Sequence, residues 1–121
     1  MREILFRGKR KDNGEWIQGD LRHWNNGVGI HSDILHHTLK VDPDTVGQFT
    51  GLVDKAGKRI FEGDIVSFGA NVYVVKYIEK YSRFSGTMPG IVFSGFPLAN
   101  SVVIGNIHDN HELPKEGEDN G

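Results

Sequence analysis

Between Thr45 and Phe68 the chain reads TVGQFTGLVDKAGKRIFEGDIVSF, and no apolar run there is longer than two residues. An amphipathic helix needs apolar positions recurring every three to four residues over several turns. The glycines at 47, 51, 57 and 63 would each weaken a helix by about 1 kcal/mol. The β-branched and aromatic residues between them (Val46, Phe49, Val53, Ile60, Phe61, Ile65, Val66, Phe68) suit short strands. Asp54-Lys55-Ala56-Gly57-Lys58 and Glu62-Gly63-Asp64 read as turns. The stretch therefore predicts hairpins of an antiparallel sheet.

The same punctuation runs along all 121 residues, whose 16 glycines are dispersed and not gathered into a linker. Glu3 to Lys9 alternates, with Ile4 and Phe6 expected on one face and Leu5 and Arg7 on the other. Asn13-Gly14 marks a turn, Trp16 to Trp24 a returning strand, and Gly19 inside it a bulge or close backbone approach. Asn25-Asn26-Gly27 is a second turn, before strands at Val28–His31 and Leu39–Val41. Ser32 could cap one helical turn, and Asp42-Pro43-Asp44 ends the segment. Val72 to Tyr81 is the longest β-branched and aromatic run and is expected as a central strand. Ser82 to Gly90 reads as loop, Ile91 to Phe96 and Val102 to Ile104 as strands, and His108 to Leu113 as one helical turn. Pro114 to Gly121 is polar and expected to be a flexible tail.

Charge and chemistry narrow the function classes. Fourteen basic against sixteen acidic residues imply no strong overall field for nucleic acid or anionic membranes. The absence of cysteine excludes disulfides, thiolate catalysis and cysteine-ligated zinc. No apolar run reaches the ~20 residues that cross a bilayer, and the N-terminal residues lack a signal peptide's apolar core. A soluble protein of the cytoplasm is expected.

Three residue groups invite a functional reading. Glu62 and Asp64 would share a face of a regular strand, as paired carboxylates for metal or acid–base chemistry do. Asp64 following Gly63 is better explained as a turn residue holding backbone N–H groups. His31, His36 and His37 with Asp33, and His108 with His111, contain metal-ligating side chains but lack the ligand spacing of a zinc site. The run Arg7, Lys9, Arg10, Lys11, with Arg22 on the paired strand and Trp16 beside it, fits a basic and aromatic surface for single-stranded nucleic acid. Phe6 and Trp24 lie near it in sequence. Gly47, Gly51 and Gly57 form no phosphate loop, because no GxxxxGK[ST] pattern or following helix is present.

The blocks Thr45-Val46-Gly47-Gln48-Phe49-Thr50-Gly51-Leu52, Asp54-Lys55-x-Gly57-Lys58, Ile60-Phe61-Glu62-Gly63-Asp64-Ile65-Val66 and Ile104-Gly105-Asn106-Ile107-His108-Asp109-Asn110-x-Glu112-Leu113 occur in this order. With Met1-Arg2-Glu3-Ile4 and Phe6-Arg7, they make the chain resemble the YopX family of phage and prophage proteins. His111 departs from the family pattern, which more often has proline there, and His23 to Lys40 lies outside the motif. The resemblance implies a compact, mostly β domain of phage or prophage origin and carries over no reaction, ligand or catalytic residue.

The expectation is an all-β protein with one domain over residues 1–113 and the tail over 114–121. Its architecture would be a small SH3-like barrel or a strongly bent antiparallel sheet with one or two short helical turns. A non-enzymatic binding or self-assembling accessory protein is expected, without cofactor, whose partner is another copy of itself or a host or phage protein. Single-stranded nucleic-acid binding is the first alternative and a metal-dependent hydrolase the second.

Overall fold

The computed structural model describes residues 4–79, 82–88, 91–92 and 98–110. Its secondary structure is mainly β, in two antiparallel sheets with strand orders β4-β3-β2-β1-β5-β6 and β10-β9-β8-β7-β11. The chain divides into two compact units, Met1–Phe49 and Thr50–Gly121.

The first unit contains β1 (Phe6–Lys9), β2 (Trp16–Trp24), β3 (Gly27–Ser32) and β4 (Thr38–Val41). Each strand is antiparallel to the next, with registers Lys9↔Trp16, Leu21↔Ile30 and Ile30↔Leu39. Alternation along these strands sends one set of side chains inward. Ile17, Ile30 and Val41 are buried there, packed by Phe6, Leu21, Val28, Leu39 and Val46. The ends of β1 and β4 meet. Arg10 bridges Val41, and the Lys11 and Asp42 N–H groups donate to the Lys40 and Lys9 carbonyls at 3.0 and 2.9 Å. One bridge is not a ladder, and the described strands form no closed barrel.

Gly19 is where two backbones crowd, since a Cβ there would collide with the His31 carbonyl oxygen. Ser32 does not start a helix. It ends β3, and its Oγ accepts the Ile34 and Leu35 N–H groups at 3.2 and 2.9 Å. The chain then reverses through His36 at φ +60°, closing with the Ser32 N–H on the His37 carbonyl. The helical turn lies instead at Pro43–Thr45, a 3-10 turn whose N-cap, Asp42, accepts the Asp44 N–H. A proline in the first turn loses no helical hydrogen bond, which is why Asp42-Pro43 begins this turn as well as ending β4.

β5 (Gly47–Val53) runs across the boundary between the units, and β6 (Arg59–Phe61) follows the Asp54–Lys58 turn. Glu62-Gly63 makes no hairpin, because β6 and β7 (Asp64–Phe68) belong to different sheets. Gly63, at φ +91°, donates its N–H to the Val75 carbonyl and accepts the Ile107 N–H on its own carbonyl. The turn's backbone groups are thus spent on other strands and not on a two-strand ladder.

β8 (Asn71–Ile78) is the middle strand of five, as its composition predicts. On one side of its sheet Val66, Tyr73 and Val75 pack with Ile60 and Leu98; on the other, Ile65 and Val74 are buried too. The Ser82–Gly90 segment, expected as loop, contains a strand, β9 (Arg83–Met88). Pairing with β8 overrides the weak strand preference of Ser85 and Gly86, and the buried Thr87 hydroxyl donates to the Val74 carbonyl. β10 is described at Ile91–Val92, and β11 is Val102–Asn106 after a 3-10 turn at Leu98–Asn100. The rest of the expected Ile91–Phe96 strand, the 111–113 part of the terminal turn and the 114–121 tail lie outside the described residues. Among the described residues no helix is long and apolar enough to cross a membrane.

Candidate functional site

The two carboxylates most prominent in the motif blocks serve the backbone. Asp64 is 1% exposed and its Oδ2 accepts the Phe61 N–H at 2.7 Å, the turn role its sequence context predicts. Glu62 is half-buried in that turn and not on a strand beside it. Asp54 is 5% exposed, with Oδ1 accepting the Ala56 and Lys58 N–H groups and Oδ2 accepting Val103 N–H. Burial would push the Asp54 carboxyl up; the bonds from Val103, Lys58 and Ala56, with the Lys58 charge, outweigh it and hold the carboxyl below its ordinary value.

The terminal motif block closes on itself. The Asn106 side-chain oxygen accepts the His108 and Asp109 N–H groups at 2.9 and 3.0 Å, and Asn110 Oδ1 accepts the Asn106 N–H at 3.0 Å. A Cβ on Gly105 would strike the Asn110 amide, which is what glycine provides there.

The histidines are dispersed in role. His31 Nδ1 is 3.0 Å from Thr38 Oγ1, His37 Nδ1 is 3.1 Å from the Leu35 carbonyl, and His36 is exposed. Asp33 is exposed, and His111 lies outside the described residues. Among the described residues no three His, Asp or Glu side chains are grouped to hold a metal ion.

The basic and aromatic residues of the first unit fall on the sheet face opposite its apolar core, and they separate into two clusters. Arg7, Lys9 and Trp16 come together: the Arg7 guanidinium carbon lies 4.7 Å and the Lys9 ammonium 5.7 Å from the Trp16 ring centroid. Arg7 is only 8% exposed and Lys9 and Trp16 are half-buried, so this end of the face is taken up by a cation–aromatic contact. Phe6 points to the other side, into the core. Arg10 lies in the β1–β2 turn, where its Nε and Nη2 donate to both Asp12 oxygens at 2.9 and 2.7 Å. That hydrogen-bonded pairing raises Arg10 and lowers Asp12 from their ordinary values.

The second cluster is built on Gly29. Its register partners are Arg22 on β2 and Lys40 on β4, so the two cationic residues stand on the neighbouring strands on either side, whose backbones run about 4.8 Å away. A Cβ on Gly29 would lie 2.6 and 2.7 Å from Cη2 and Cζ3 of Trp24. The Trp24 ring occupies the space that any other residue's side chain would fill, yet Trp24 remains 47% exposed. Lys11, exposed, lies on the other side of β4 from Gly29, its N–H donating to the Lys40 carbonyl. Lys11, Asp12, Leu39 and Lys40 line an open depression of about 340 Å³. Arg22 faces Asp20 at 3.9 Å, with both side chains largely in water.

Of the residues predicted for a basic surface, Arg22 and Lys11 thus belong to the Trp24 cluster, while Arg7, Lys9 and Trp16 belong to the other. Trp16 and Trp24 are eight residues apart on β2, roughly 26 Å of strand. Lys40 and the supporting Gly29 were not legible from spacing. The available signal was a glycine in a short β-branched strand, which often marks close approach by another group.

A family model described as YopX protein matches residues 5–115. Among solved structures, the crystal structure of protein EF1440 from Enterococcus faecalis is similar, at 24% identity and a TM-score of 0.59. The match covers 95% of this chain and all of that one, and it shows a shared fold. Curated proteins gave no match.

Proposed function

The chain belongs to the YopX family, and from that premise we propose that it is a phage- or prophage-encoded accessory protein acting as a non-enzymatic binding module. The observation that carries this is the half-exposed Trp24, seated on Gly29 between Arg22 and Lys40. A large aromatic side chain fixed against backbone and left open to solvent offers contact area at small entropic cost. The buried carboxylates of Asp54 and Asp64 support the same reading, since both hold backbone N–H groups in place.

Self-association draws less support. The outer edge of β11 is engaged within the chain, by Asp54 on the Val103 N–H and by the Lys55 N–H on the Ser101 carbonyl. An edge blocked this way is a poor template for a second copy.

The test is capture from bacterial lysate by the purified protein and by Trp24→Ala. With the variant folded by circular dichroism, the module reading expects material retained by the wild type and lost by the variant. Equal retention by both would refute a role for this face.

A further inference from the structure

Resting on the binding-module reading above, we propose that the Trp24 face binds single-stranded nucleic acid. Trp24 is the stacking surface for an unpaired base, and Arg22, Lys40 and Lys11 receive the flanking phosphates.

Charge and shape both select this ligand. Two cations flank the glycine beneath the ring, Arg22 on β2 and Lys40 on β4, and Lys11 of the β1–β2 turn follows beyond Lys40, while the acidic groups nearby are Asp12 and Asp20. Asp12 is already bonded through both oxygens to Arg10, and Asp20 sits 3.9 Å from Arg22. The rim therefore presents net positive charge although the chain's formal net charge is −2. An aromatic ring held between cations on an open sheet face matches a base and its adjacent phosphates. In a duplex the base faces are covered by their neighbours, so stacking on Trp24 requires an unpaired strand. Trp16 is the poorer surface, because it is less exposed than Trp24 and Arg7 and Lys9 already lie against its ring.

The structure also explains why the platform holds its position. Gly29 is the residue that lets the ring approach β3, and a Cβ there would also come within 2.9 Å of the Leu39 carbonyl oxygen. The ring is supported from below by backbone and not by a mobile side chain.

The experiment is a fluorescence anisotropy titration of a labelled oligothymidylate with the full chain, at low salt and then at rising salt. Binding is expected at low salt. Trp24→Ala should weaken it roughly 5- to 100-fold, and Trp24→Phe should retain most of it. Arg22→Gln and Lys40→Gln should each weaken binding and reduce the salt slope by about one. A duplex of the same length should bind more weakly than the single strand. No anisotropy change at low salt, binding unaffected by Trp24→Ala, or equal affinity for duplex would each overturn the assignment. If the oligonucleotide fails to bind while Trp24-dependent capture of a protein persists, the ligand assignment falls and the binding-module reading stands.

Discussion

Asp54 Oδ2 accepts the backbone N–H of Val103 at 2.8 Å, joining residues 49 apart in the chain. The same carboxylate holds two N–H groups of its own turn, and the adjacent Lys55 N–H donates to the Ser101 carbonyl. The Asp54 turn is thus fastened to the start of β11, just ahead of the terminal motif block, inside the second unit. A second tie, the Ile107 N–H on the Gly63 carbonyl, reinforces the first.

Removing this carboxylate leaves three backbone donors without their acceptor, and hydrogen bonds to charged groups contribute more than neutral ones. Asp54→Ala is expected to lower unfolding free energy by about 3 kcal/mol, measured by urea denaturation. Asp54→Asn keeps one side-chain oxygen and should lose roughly half as much. Asp33→Ala, at an exposed position, should change stability by less than about 0.5 kcal/mol.

Acid should loosen the second unit through the same group. The Asp54 carboxyl is held below its ordinary value in the folded chain, so its contribution is fully present above the unfolded value, about 4. That contribution disappears as pH falls through the lower, folded value. Denaturation midpoints measured from pH 6 downward should decline in that window for the wild type and decline less for Asp54→Asn. The Arg10–Asp12 pair lies in the open turn and should add little to this dependence.

The terminal block has its own brace. Asn106→Ala takes the shared acceptor from the His108 and Asp109 N–H groups and should destabilise by about 1–2 kcal/mol. Amide exchange at His108 and Asp109 should accelerate in the variant.

Gly29→Ala should displace the Trp24 ring, because the new methyl would stand within 2.7 Å of two ring carbons. In a Trp16→Phe background Trp24 is the remaining tryptophan, so its emission reports the change directly. A red shift is expected, with oligonucleotide affinity reduced although every cation remains.

The all-β architecture and the central place of β8 were legible because alternation and β-branched content are local properties. The turn role of Asp64 was legible for the same reason. β9 was not, because Ser85 and Gly86 become strand only through the partner they find in β8. The sheet change at Gly63 was equally hidden, since it is set by bonds to Val75 and Ile107, distant in sequence. At the candidate site, sequence proximity gathered Arg7, Lys9, Arg10, Lys11, Trp16 and Arg22 into one group. The length of β2 separates them, and the platform depends on a cross-strand neighbour, Gly29, that proximity did not indicate.

Trp24 is the proposed contacting surface, and the two tryptophan indole N–H signals of this chain make its contacts directly observable by nuclear magnetic resonance. Titration with oligothymidylate at low salt should shift the Trp24 indole signal and move the Trp16 signal, whose ring is already in contact with Arg7 and Lys9, much less. A Trp24 signal that stays fixed throughout the titration would contradict it.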